Sequence, residues 1–199
     1  AIHIDDIAAD AGIPAPAARA VAGSISNLIL HKLARLDRQA VLETLADIED
    51  AGDVPARDKI IEGLMHRFEV YAPYRRQLAQ LDNAARRDPA LGLRLIDSLV
   101  HAMRMLLRMA GDDLAGVKGE ARVRGVAGVA MLVARTWQTD DTSDLSTTLK
   151  EIDRRLATAE EWGRTLRVLD GDSFEDEPMG AGHRNSEDPL DGNPGGRYQ

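Results

Sequence analysis

Side chains able to do acid–base or metal chemistry are present in this chain but scattered along it. The five histidines, His3, His31, His66, His101 and His183, never recur at the H-x-x-x-H spacing that puts two imidazoles on one helix face. Cysteine is absent, which removes thiol nucleophiles, thiolate metal sites and disulfides. Neither a G-x-S-x-G elbow nor a glycine-rich phosphate loop occurs. The carboxylate pairs Asp112-Asp113 and Asp140-Asp141 fall where helices begin, and capping accounts for them. His66 and His101 read as structural histidines. The expectation is no metal, no cofactor and no enzyme activity.

Binding is the chemistry that remains, and three groups of residues offer it. Helices expected at 56–71, 90–110 and 118–138 could enclose a cavity for a small apolar ligand or lipid. Its lining would be Met65, Phe68, Leu99, Met103, Leu106 and Met131, with His101 and Arg104 as polar contacts. Methionine suits such a site because its thioether adapts to irregular apolar shapes. On the last two helices, Val126, Ala127, Ala130, Ala134 and Trp137 face Leu149, Ile152 and Leu156 as a stripe wide enough for a core and a homodimer interface. Near the N-terminus, Pro14, Ala15, Ala18, Arg19 and Ser24 hold the positions from which a helix-turn-helix would touch DNA.

The elements that must position these residues are helical. Apolar residues make up 44% of the 199 and aromatics only 4%, with Ala, Leu and Arg prominent, whereas sheets draw on β-branched and aromatic residues. A long helix capped by Ser24 or Ser26 runs through Asp47 until Asp50-Ala-Gly-Asp53 breaks it. Pro55 starts the helix at 56–71, and Pro73 interrupts before a shorter polar helix ending at Arg87. Asp88-Pro89 opens the most apolar helix, at 90–110, whose Arg94, Asp97, His101, Arg104 and Arg108 form one narrow polar stripe. Helices at 118–138 and 144–169 follow. Gly125 and Gly128 inside the first of these each cost about 1 kcal/mol against Ala, so they ask for a packing reason. Eight helices are expected, three in a head and five in a body: a head over 1–30, a ligand-binding and dimerisation domain over 31–169, and a disordered tail over 170–199. Residues 171–199 hold seven acids against two arginines, five of the eight net negative charges. The longest apolar run, Gly125 to Ala134, is about half of the ~20 residues a membrane span needs. With no signal peptide visible either, a cytoplasmic protein without integral membrane association is expected.

The stretch Ile4 to Leu28 has two short helices around Gly12 and a third starting at Gly23-Ser24, the outline of a helix-turn-helix. Ile7-Ala8, Ala11-Gly12-Ile13 and Gly23-Ser24 before Leu28 resemble the TetR family of transcriptional regulators, which reads I-A-x-x-A-G-V and F-x-S-K-x-x-L there. The resemblance extends over about 165 residues in helix order and length. It implies an all-α TetR-like fold, a ligand-binding body, and a dimer through the last two helices. A second resemblance lies further on. Thr136-Trp137-Gln138-Thr139-Asp140-Asp141-Thr142-Ser143-Asp144, with Thr148 and Ile152-Asp153-Arg154-Arg155-Leu156, is similar to the lipid-binding family of coenzyme Q biosynthesis. That family combines a TetR-type fold with lipid binding and no DNA binding. Arg57-Asp58, Leu64-Met65-x-Arg67-Phe68 and Arg87-Asp88-Pro89-Ala90-Leu91 resemble bacterial proteins lying between the two.

The head departs from the TetR pattern in its chemistry. Residues 1–22 carry Asp5, Asp6 and Asp10 against Arg19, whereas phosphate neutralisation supplies most non-specific DNA affinity. The family's aromatics are replaced by Arg19, Val21 and Ala22, and its phosphate-contacting Lys by Ile25; its first helix has no counterpart here. Two functions follow from these residues. One is a TetR-type regulator that responds to a small apolar ligand. The other is a lipid- or isoprenoid-binding accessory protein of ubiquinone biosynthesis with a head that does not bind DNA.

Overall fold

The computed structural model describes residues 3–165 of the chain. Among them there is no strand, and the all-α expectation is met. Eight helices run as α1 (Ile4–Asp10), α2 (Ala15–Val21), α3 (Ile25–Ala51), α4 (Ala56–Tyr71), α5 (Arg75–Ala85), α6 (Pro89–Met109), α7 (Gly116–Gln138) and α8 (Ser146–Thr165), with a 3-10 turn, Ala72–Tyr74, before α5. The outer turn of the expected last helix, and the whole tail from 170, lie outside the described residues.

Local chemistry sets most of these boundaries. The Ser24 hydroxyl accepts from the Asn27 amide at 3.2 Å and caps α3. After twenty-seven residues α3 stops at Gly52, whose φ of +83° disfavours any side chain there. Asp88 accepts from the amides of Ala90 and Leu91 at 3.0 and 3.2 Å, and Pro89 occupies the first position of α6 where no amide is needed. Helix α3 crosses the boundary expected between residues 30 and 31, so head and body share one helix.

The core sits where α4, α6, α7 and α8 meet. Leu64, Phe68, Met103, Val123, Val133 and Ile152 are all at most 1% exposed, and each such side chain contributes roughly 1.5–3 kcal/mol. At Gly63 of α4 an added Cβ would collide with Leu106 Cδ1 of α6, so the glycine lets these two helices approach. Gly125 and Gly128 of α7 have nothing within 4 Å of where a Cβ would stand. The packing reason they ask for is therefore not inside the described chain. Ion pairs tie the outer helices down: Arg57 of α4 reaches Asp153 at 2.8 Å and Glu160 at 3.1 Å on α8, and Arg122 of α7 grips Asp112 in the α6–α7 loop at 2.6 Å.

The head is small. Helices α1 and α2 pack chiefly on each other, with Ala8 and Ala22 as their buried residues, while Ile13 and Val21 stay 49% and 65% exposed. Helix α2 buries no residue fully.

Candidate ligand cavity

Helices α3 to α7 line a cavity of about 550 Å³ that opens to solvent on one side, within the range of small-molecule sites. Leu33 of α3 and Phe68 of α4 form one wall, Leu95 and Leu99 of α6 another, and Ala130, Met131 and Ala134 of α7 a third. Helix α5 closes the outer side. It is polar overall and none of its residues is fully buried, yet Leu78, Leu81 and Ala85 recur three and four residues apart and line the cavity. Phe68 and Trp137 meet with ring centroids 5.4 Å apart.

Two polar features break this apolar lining. The first is a buried cluster bridging α3 and α4. Asp37 is 4% exposed, and its Oδ1 accepts from Arg67 Nε and from the Tyr71 hydroxyl, both at 2.8 Å. The Arg67 guanidinium also lies 4.5 Å from the centre of the Tyr71 ring. Burial opposes the charge on Arg67, but the facing Asp37 carboxylate outweighs it and holds the guanidinium protonated above its ordinary value. Burial, with Asp37 beside it, pushes the Tyr71 phenol well up, so it stays a neutral donor.

The second feature is Trp137. It is 2% exposed, and its indole N–H is buried without an acceptor. An unmet buried donor costs about 1–3 kcal/mol. The Arg75 guanidinium stacks 4.8 Å from the Trp137 ring and donates to the Asp140 carbonyl at 2.8 Å, which fixes the ring from outside. Asp140 in turn caps α8. Its carboxylate accepts from the Thr148 amide and hydroxyl, both at 2.7 Å, and from the Thr142 amide at 3.1 Å. Burial would raise its pKa, but these bonds prevail and hold the carboxyl far below the usual carboxylate range.

Of the residues expected to line a pocket, Phe68, Leu99 and Met131 do so. Met65, Met103 and Leu106 are instead fully packed core residues, at most 8% exposed, further along α4 and α6. His101 is exposed and lies in a separate hollow between α3 and α6, with His31, Arg94 and Asp97. Arg104 is paired with Glu120 of α7 and does not reach the cavity. Asp37, Arg67 and Tyr71 were not among the expected site residues, and Trp137 was expected at a dimer interface; Arg67 and Tyr71, one turn apart on α4, were the one available signal.

The expected dimer stripe is largely consumed within the chain. Val126, Ala127, Ala130, Trp137, Ile152 and Leu156 are all at most 8% exposed in this chain's own core, Ala134 is half-buried in the cavity wall, and Leu149 alone of the eight stays exposed. Among the described residues, α7 and α8 leave Val117, Gly125, Met131, Leu132, Leu149 and Trp162 outward. In the head, Pro14 is exposed, and Ala15 and Ala18 are half-buried. Arg19 is committed to Asp5, with Nε 2.8 Å from Oδ1, and Ser24 is committed to the α3 cap.

Spacing between histidines also passed over one cluster. Glu62-x-x-x-His66 places a carboxylate and an imidazole on one face of α4, and Asp47 of α3 joins them, a set that could hold a metal ion.

No protein-family model, no curated protein and no solved structure matches this chain. Among the described residues no helix is long and apolar enough to cross a membrane. The class defined by fold and site is thus an all-helical protein with a ligand-sized open cavity between its helices.

Proposed function

We propose that this chain binds one small, largely apolar molecule carrying a hydrogen-bond acceptor, and acts as a TetR-type regulator responsive to it. The cavity carries this reading: its walls are apolar, and Trp137 supplies a buried donor that a carbonyl or hydroxyl oxygen of the occupant would satisfy. Helix α3 favours a regulator over a passive carrier. It forms part of the cavity wall at Leu33 and Asp37 and continues without a break to Ser24, where the head begins.

A homodimer is part of the same reading. Gly125 and Gly128 lie on an unpartnered face of α7 beside Leu132, with Leu149 and Trp162 outward on α8. A second copy approaching this face would explain two glycines that no neighbour among the described residues explains.

The rival reading, a lipid- or isoprenoid-binding accessory protein of quinone metabolism, is favoured by one observation. Arg19, the head's candidate phosphate contact, already neutralises Asp5. Gel shifts with the adjacent promoter at about 50 mM salt separate the two, because phosphate contacts strengthen steeply as salt falls. A shift that ligand relieves supports the regulator. No shift, together with a lipid retained in native mass spectrometry, supports the carrier, and an empty cavity in both assays rejects the shared premise.

A further inference from the structure

Outside the cavity, the C-terminal part of α3 and the middle of α4 bring three metal-ligating side chains to one point. His66 Nε2 lies 3.1 Å from Asp47 Oδ2 and 3.3 Å from Glu62 Oε1, and all three donor atoms fall within 4.8 Å of one another. The imidazole is 9% exposed, while both carboxylates reach the solvent.

The other side of the ring decides what Nε2 can be. His66 Nδ1 is 3.3 Å from the hydroxyl of Thr44, a fully buried residue on α3. That hydroxyl has one proton and donates it to the Ala40 carbonyl at 2.8 Å. In the tautomer in which Nδ1–H donates to that hydroxyl, Nε2 turns a lone pair toward the two carboxylate oxygens, and three acceptors converge on one space that a cation can fill.

The spacing suits a cation. Bonds of about 2.0–2.1 Å to nitrogen and oxygen in a tetrahedron place neighbouring ligands roughly 3.3–3.4 Å apart. The two separations at Nε2 are close to that without any movement, and the carboxylates are exposed enough to adjust. A hydrogen-bonded Nδ1–H is also the usual outer-shell device that orients a ligating histidine.

We propose that Asp47, Glu62 and His66 form a binding site for one divalent transition-metal ion of the zinc type, with Thr44 as the residue that positions His66. One imidazole and two carboxylates suit zinc better than calcium or magnesium, which prefer all-oxygen shells. Solvent completes the coordination. The ion would clamp the end of α3 to α4, well away from the ligand cavity, and the site stands whether or not that cavity has an occupant.

The test is titration of the chelator-stripped full chain with zinc chloride by calorimetry, with cobalt(II) absorption reporting the ligand geometry. One saturable site per chain is expected, with a higher Tm on loading. Glu62→Gln and Asp47→Asn alter exposed side chains, so the fold persists, and each should weaken binding at least about tenfold. Thr44→Val keeps the shape of the buried side chain and removes the positioning hydroxyl. It should weaken binding about 10- to 100-fold, as loss of outer-shell partners does elsewhere. His66→Gln should abolish the site. The absence of saturable binding overturns the proposal and leaves His66 a hydrogen-bond bridge between the two acids. Binding that survives Glu62→Gln and Asp47→Asn also overturns it, by locating the metal on other histidines.

Discussion

Replacing Asp37 by Ala probes the buried cluster that joins α3 to α4 at the cavity wall. The mutation strands the Arg67 guanidinium and removes the acceptor of the Tyr71 hydroxyl. Breaking one side of a buried ion pair costs about 3–5 kcal/mol, mostly because the surviving charge stays desolvated. Arg67 keeps 15% of its side-chain surface in solvent against 4% for Asp37, so relaxation toward water places the expected loss near the lower end, about 3 kcal/mol. For a body of this size each kcal/mol lowers Tm by roughly 2–4 °C, so the melt should fall by about 6–12 °C. Asp37→Asn keeps an oxygen for both donors and loses only the charge assistance, roughly 1–2 kcal/mol. The double variant Asp37→Leu, Arg67→Met removes both charges together and should recover most of the loss, since a packed apolar pair is often as stable as a buried ionic one. Urea unfolding followed by far-UV circular dichroism would measure all three. A loss below about 1 kcal/mol for Asp37→Ala, or a double variant as unstable as the sum of its parts, would refute the role given to this pair.

Trp137→Phe removes the unmet indole donor together with part of a buried ring, so the cavity left behind offsets the relief of the donor. It should weaken binding of a ketone probe such as 2-undecanone more than that of an alkane of equal length; equal effects on both probes would remove Trp137 as the polar contact. Gly125→Ala and Gly128→Ala have room for the added methyl, and each should stabilise an isolated helix by about 1 kcal/mol. If a second copy packs there, light scattering should instead show the dimer weakened. Asp140 titrates below its ordinary value when folded, so its stabilising effect is full above about pH 5 and drains away as pH falls through the unfolded-state value near ~3.9. The stability gap between the parent and Asp140→Asn, measured by urea melts, should therefore be widest at neutral pH and narrow toward pH 3; a gap that is independent of pH would mean the carboxylate's charge is not what caps α8.

The helix plan was legible because its signals are local. Ser24, Gly52 and Asp88-Pro89 act within a few residues of themselves, and α4 spans the residues its pattern indicates. The cavity was half-legible. Apolar spacing identifies a stripe on α6 but not which part of it meets space rather than side chains. Leu95 and Leu99 face the cavity, whereas Met103 and Leu106, one and two turns on, are sealed against α4 and α7. Helix α5 looked too polar to matter, and its Leu78–Leu81–Ala85 stripe closes the site. Asp37 could not be recognised as buried, since its partner lies thirty residues away on another helix. The interface stripe erred for a related reason: small and aliphatic residues on α7 and α8 satisfy one another within the chain, and only the outward positions, Gly125 and Leu132 among them, are left over.

The length of α3 gives the proposed regulation a mechanical consequence. Taking the Asp47–His66 contact as its anchor, Asp37 lies ten residues away and Ile25 twenty-two, or about 15 and 33 Å at the rise of an α-helix. A rigid rod pivoting at that anchor roughly doubles any displacement made at the cavity by the time it reaches the head. An occupant that pushes Asp37 and Leu33 by about 1 Å would thus shift the start of α3 by about 2 Å, and two heads in a dimer would separate or close by up to twice that. The lever works only while α3 stays continuous and its far end stays fixed. His31→Pro would break the rod between cavity and head; it should leave binding of an apolar probe within about threefold of the parent while abolishing any effect of that probe on the distance between spin labels placed on the two heads. A probe-dependent distance change that persists in this variant would mean that the head responds through some route other than α3.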